Sequence, residues 1–168
     1  MIPEELKRLL QEYINQNYIE MTEERSKCVT HFDVTKGNDG IISKKESFSL
    51  EELVNEVGES FHEMLFLKID TSGMTDVEVY KRANMDRKLF SKIRSNPAYH
   101  PSKQTVLALS IALKLDLDET VDLLARAEYA LSPGSKGDLI VKYFIERGIY
   151  DIQTINFALY EYDLPILG

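Results

Sequence analysis

The sequence predicts an all-α protein. Apolar residues recur at three- and four-residue spacing along most of the chain, helix-capping patterns stand ahead of several of these stretches, and Gly, Asn and Pro punctuate their ends.

Pro3-Glu4-Glu5 opens a first helix running to about Met21. Pro3 suits a first-turn position, and Glu4 and Glu5 suit the positive helix end. Leu6, Leu9, Leu10, Tyr13, Ile14 and Tyr18 form its apolar stripe, leaving Lys7, Arg8, Gln11, Glu12 and Gln16 for water. Residues 22–47 are polar, contain Lys36-Gly37-Asn38-Asp39-Gly40, and read as a linker or loop, after which the capping box Ser49-x-x-Glu52 starts a short helix.

Phe61, Met64, Leu65, Phe66 and Ile69 mark the next helix, which stops at Gly73. Thr75-x-x-Glu78 is a second capping box and opens a helix carrying Val79 and Ala83. Asn84 is fit for the left-handed conformation of a sharp turn, and Asp86 caps a further helix with Phe90 and Ile93 inside. Pro97 and Pro101 bracket a loop. Val106, Leu107, Leu109, Ile111, Ala112, Leu113 and Leu115 supply a largely buried helix. Asp118 is expected to cap the next one, with Val121, Leu124 and Ala125 on its buried side. After the turn Ser132-Pro133-Gly134-Ser135, Leu139 to Ile145 forms one helix ended by Gly148, and Asp151 starts another with Ile152, Ile155, Leu159 and Tyr162 in register. The apolar tail Leu164-Pro165-Ile166-Leu167-Gly168 is expected to dock. The organisation read from this pattern is an N-terminal amphipathic helix and acidic linker over 1–58, a compact core over 59–131, and a helical extension over 132–168.

The 168 residues are 43% apolar, enough to bury a core. The acidic start lacks the layout of a secretory signal, and the longest apolar stretch, Val106 to Leu113, falls far short of the roughly 20 residues a membrane helix needs. The single cysteine, Cys28, cannot form an internal disulfide and fits a reducing compartment. A cytoplasmic protein with no membrane partner is expected.

Net charge is −8, which argues against a polyanionic partner until its distribution is considered. Residues 1–59, 60–131 and 132–168 carry −6, 0 and −2. Within the neutral middle, Lys81, Arg82, Arg87, Lys88, Lys92, Arg94 and Lys103 face only Asp86, a local +6. Salt screens beyond about 8–10 Å, so a nucleic acid feels that local field.

The decisive segment runs from Thr75 to Arg94. Two short helices joined by a tight turn must bury Val79, Ala83 and Met85 against Phe90 and Ile93, which turns the other face of the second helix outward. A groove-reading helix needs that arrangement. Residues from about 60 to 125 resemble the repressor-like (XRE-type) helix-turn-helix family. Val79 matches the apolar residue closing the first motif helix, Asn84 the turn glycine, Met85 the apolar turn residue and Asp86 the N-cap of the recognition helix. Phe90, Ser91 and Ile93 match that helix's core positions, and Pro101-Ser102 followed by Leu107 to Leu115 matches the next helix at the expected loop length. From Phe61 onward the chain also resembles a bacterial subgroup with a helical C-terminal extension, in which a similar module sometimes follows a macro domain.

The resemblance implies a five-helix repressor-like core, with an N-terminal helix and a two-helix extension around it. It places Arg87, Lys88 and Lys92 where base edges are reached, with guanine O6 and N7 as favoured acceptors, and offers Ser91 and Ser95 as phosphate donors. The same charges also read as an ordinary solvated face. Three departures from the family pattern stand out: Tyr80 replaces a small alanine, Asp76 puts a carboxylate where phosphate approaches, and the loop Pro97-Ala98-Tyr99-His100 lacks backbone-gripping cations. Tyr99 and His100 fit loop packing better than stacking on bases. Leu89 is expected to be exposed, facing either a thymine methyl or a protein.

Other patterns carry less. Asp39, Gly40, Ile42 and Glu46 fall on calcium-loop positions, but Thr35 and Gly37 stand where ligands are needed and Asp33 comes too early, so a Gly-rich turn is the better reading. His31 with Asp33, His62 with Glu63, and Cys28 near His31 do not complete a zinc site. With no phosphate-cradling loop, nucleophile elbow or paired catalytic carboxylates, neither an enzyme nor a cofactor or metal is expected. The leading expectation is a sequence-specific regulator that binds double-stranded DNA as a homodimer. The alternative is a non-catalytic interaction adaptor on a degenerate scaffold of the same kind, engaging a protein partner through residues 1–22.

Overall fold

A computed structural model describes residues 2–19 and 60–168. Met1–Tyr18 with Glu59–Gly168 form one compact unit. The expected loop at 22–47, the Ser49 capping box, the calcium-like pattern, and Cys28, His31 and Asp33 lie outside the described residues.

The described residues are all-helical: α1 Glu4–Asn17, α2 Phe61–Ser72, α3 Asp76–Arg82, α4 Arg87–Ser95, α5 Lys103–Ala112, α6 Leu117–Arg126, α7 Lys136–Glu146 and α8 Ile152–Glu161. Side chains satisfy most of the helix starts. Ser60 with Glu63, Thr75 with Glu78 and Asp116 with Glu119 form reciprocal capping boxes, while Asp86, Ser102, Ser135 and Asp151 each accept a first-turn backbone N–H. The Ser60 and Thr75 groups that donate to Glu63 and Glu78 hold both carboxyls below their ordinary value. Gly73, at φ 68, ends α2 in the left-handed region, where a side chain would be strained.

Helix α5 is the hub. From Thr105 to Ala112 every residue is buried, and the helix packs against α3, α6 and α8. Helix α2 closes on α6, α4 on α3, α7 on α6 and α8, and α1 on α7. Each large apolar side chain so buried contributes about 1.5–3 kcal/mol.

Several expectations change. Pro3 is the N-cap of α1, not a first-turn residue, and the helix ends at Asn17, four residues short of Met21, because Tyr18 turns to ψ 125. Its stripe is narrower than expected: Leu10 and Ile14 are buried, Leu6 and Tyr13 half-buried, while Leu9 and Tyr18 stay exposed. That stripe is occupied from within, by α7 and α8. The Tyr13 ring meets Tyr143 edge-on at 5.2 Å and its hydroxyl donates to Glu146 at 2.8 Å, and Lys7 pairs with Glu161 at 3.3 Å. What α1 leaves outward is a mostly polar face that includes the exposed Leu9.

Helix α6 is capped by Asp116, not Asp118, and its phase differs accordingly. Thr120, Leu123, Leu124 and Ala127 form the buried stripe at helical spacing, and Val121 and Ala125 face solvent.

The tail docks as expected. Leu167 is buried, its N–H donates to Asn156 Oδ1 at 2.8 Å, and its carbonyl accepts from Asn156 Nδ2 at 3.0 Å. Gly168 then presses on the turn after α3, where a β-carbon would come within 2.5 Å of the Asn84 carbonyl oxygen.

Candidate nucleic-acid interface

Helices α3 and α4 are joined by four residues that each settle one requirement. Ala83 is wholly buried, Asn84 takes φ 51, and Met85 tucks inward at 6% exposure, its N–H donating to the Tyr80 carbonyl at 2.9 Å. Asp86 then caps α4 by accepting from the Lys88 N–H at 2.7 Å. With Phe90 and Ile93 buried on its inner side, α4 has no freedom to roll, so the rest of its surface faces outward.

Arg87, Lys88, Ser91, Lys92 and Ser95 are all exposed on that outer side. Arg87, Ser91 and Ser95 follow one row at four-residue spacing, and Lys88 and Lys92 a second row beside it. Among the described residues, none of these three cations forms an ion pair. Lys92 Nζ lies 4.3 Å from the centroid of the Tyr99 ring, which steadies it without neutralising it.

Of the other four cations of the basic segment, three have partners and the fourth, Lys81, is exposed on α3. Arg94 pairs with Asp76 at 3.1 Å and lies 4.5 Å over the Phe66 ring, while its carbonyl oxygen is 3.1 Å from His62 Nε2. Lys103 pairs with the buried carboxylate of Asp138. Arg82 Nη1 sits 3.2 Å from the Met74 sulfur. The local +6 of the sequence therefore loses Arg94 and Lys103 to carboxylates, and Arg87, Lys88 and Lys92 remain as the outward cluster on α4.

Sequence reasoning missed three features of this site. Leu89, expected to be exposed, is half-buried against the core. Asp76, read as a carboxylate where phosphate approaches, is also the partner that fixes Arg94 across the α3–α4 junction. Tyr80, in place of a small residue, lies 6.0 Å from Phe90 ring to ring, and an open groove of about 300 Å³ remains between α3 and α4, lined by Asp76, Val77, Tyr80, Arg87, Ser91 and Arg94 among others. Only the aromatic and charged identities at 76, 80 and 94 hinted at these contacts.

The neighbouring loop is held from inside the molecule. Tyr99 carries the Lys92 contact, and the His100 ring lies 5.2 Å from Tyr129, whose hydroxyl donates to the Pro101 carbonyl at 3.1 Å. His62 is likewise in contact with Phe66, ring centroids 4.6 Å apart, and Glu63 serves the Ser60 cap. No cluster of three or more potential metal ligands occurs among the described residues, and no described helix is long and apolar enough to cross a membrane.

Comparison with family models, curated proteins and solved structures gave no match.

Proposed function

We propose that this protein is a sequence-specific regulator that binds double-stranded DNA and reads the major groove with the helix at 86–95. In this reading α2 to α6 are a five-helix repressor-like helix-turn-helix core, carried between an N-terminal helix and a two-helix extension. One observation supports it above the rest: α4 is locked by Phe90 and Ile93 so that Arg87, Lys88, Ser91, Lys92 and Ser95 face outward with the three cations unneutralised. Arginine and lysine so presented match guanine O6 and N7, and serines at the rim match phosphate oxygens. The protein acts by binding alone, in the cytoplasm, as a homodimer that sets two such helices about 34 Å apart on one face of the duplex.

Selection from a randomised duplex library at low salt tests this. An enriched two-part motif is expected, lost in Arg87→Ala plus Lys92→Ala. No enrichment, or enrichment that survives both substitutions, overturns the reading.

A second reading, an interaction adaptor on the same scaffold, is favoured by Asp76. Its carboxylate, 39% exposed, sits in the first turn of α3, where a phosphate would have to approach. Failed selection together with a protein captured through the α4 face would decide for the adaptor.

A further inference from the structure

The tail at 164–168 reaches the turn that leads into α4. Leu164 N–H donates to the Leu159 carbonyl, and the buried Asn156 holds Leu167 with both ends of its amide, so the segment runs back along α8. Gly168 then meets the α3–α4 turn. A β-carbon there would stand 2.5 Å from the Asn84 carbonyl oxygen and 2.7 Å from that of Ala83. The α-hydrogen it would replace points at those oxygens, and no described group donates a hydrogen bond to either. Gly168 also takes φ 101, in the region that favours glycine. Close approach and backbone angle each call for glycine at this one position.

The turn that it meets is strained. Asn84 takes φ 51 without being glycine, a conformation that persists only where its surroundings hold it. From within, the Asn84 and Met85 N–H groups donate to the Lys81 and Tyr80 carbonyls, and the Met85 side chain is buried. Helix α4 packs on α3 and starts at Arg87, so the path of the chain through this turn decides where its cations stand.

We infer that Gly168 and Asn156 are positioning residues for α4: the tail, clipped by Asn156 and seated by Gly168, braces the strained turn and fixes how Arg87, Lys88 and Lys92 are presented. A β-carbon at 168 must push the turn or lift the tail from it, and either way the brace is lost. Removing the Asn156 amide releases Leu167 and has the same consequence one step back. The inference deepens the DNA reading above and rests on it for what α4 touches, while the brace itself is tested without DNA.

Amide hydrogen exchange of the full chain is that test. Gly168→Ala is expected to accelerate exchange at Asn84, Met85 and Lys88 at least about tenfold, with α5 and α7 unchanged. Asn156→Ala is expected to do the same at the turn, and Ile166→Ser, on the exposed side of the same tail, to leave it as it was. Gly168→Ala leaves the core intact, so it decides the matter even if Asn156→Ala unfolds. Unchanged exchange at the turn in Gly168→Ala, or acceleration spread evenly over all helices, overturns the inference. With a selected duplex, Gly168→Ala is expected to lower the preference over a scrambled one several-fold, while the salt dependence, set by unchanged cations, stays the same. A loss of stability alone would weaken both duplexes alike. A loosened turn with the preference intact also overturns the inference. A loosened turn in a chain that selects no duplex keeps the brace and removes the DNA reading. Selected DNA bound equally well by Gly168→Ala, with exchange unchanged, does the reverse.

Discussion

Helices α4 and α8 are alike on the inside and opposed on the outside. They have nine and ten residues, each begins at an aspartate cap, and each buries an apolar stripe, Phe90 and Ile93 in one and Ile152, Ile155 and Leu159 in the other. Outside, α4 shows three unpaired cations, Arg94 paired with Asp76, and two serines, and α8 shows two aromatic rings and a glutamine. The inner stripe decides where a helix sits, and the outer face decides what it meets. One face carries unpaired positive charge, and the exposed helical residues of the other carry none.

If the inner stripes play equal parts, truncating either should unfold the chain to a similar degree. Phe90→Ala is expected to lose about 3–5 kcal/mol and Leu159→Ala about 2–5 kcal/mol in urea denaturation. A small loss at only one of them would break the symmetry of the comparison.

The outer faces should separate cleanly. Arg87→Ala plus Lys92→Ala is expected to cost about 2 kcal/mol or more in binding to a selected duplex, measured by titration, with the thermal midpoint nearly unchanged. Tyr160→Glu is expected to leave that midpoint alone as well.

The smallest effect concerns pH and divides the two regions. Burial, reinforced by the hydrogen bond to Glu146, pushes the Tyr13 hydroxyl from 10.0 up to about 12. The folded chain thus holds that proton more tightly than the unfolded one. The stability it lends is complete below pH 10 and drains away as pH rises from 10 through about 12. Tyr150 and Tyr162, also pushed up by burial, act in the same sense. Hydrogen exchange in that window should accelerate across α1 before α4, and Tyr13→Phe should remove much of the α1 change. Simultaneous acceleration in both helices would contradict the assignment to Tyr13.

Local rules account for what was legible in the sequence. Thr75-x-x-Glu78, Gly73, Asn84 and Asp86 behave as their chemistry demands, because a cap or a left-handed turn is settled within four residues. The reciprocal box at Ser60 and Glu63 was equally local and went unread. The cap of α6 was misplaced because Asp116 and Asp118 are both competent. Asp116 wins because Glu119 lies three residues after it and completes a box, which Asp118 lacks. Nothing local could show that Arg94 spends its charge on Asp76, that Lys103 faces Asp138, or that Leu89 leans inward. These contacts depend on how whole helices are juxtaposed, and they decide how much of the basic segment stays outward.

Backbone amide shifts recorded by NMR while a low-salt duplex is titrated in test the central claim most directly. The account predicts shifts concentrated at Arg87 to Ser95 and the first turn of α3, with Gln153, Phe157 and Tyr160 unmoved by the DNA itself. Shifts centred on another surface, or none at saturating duplex, would contradict it.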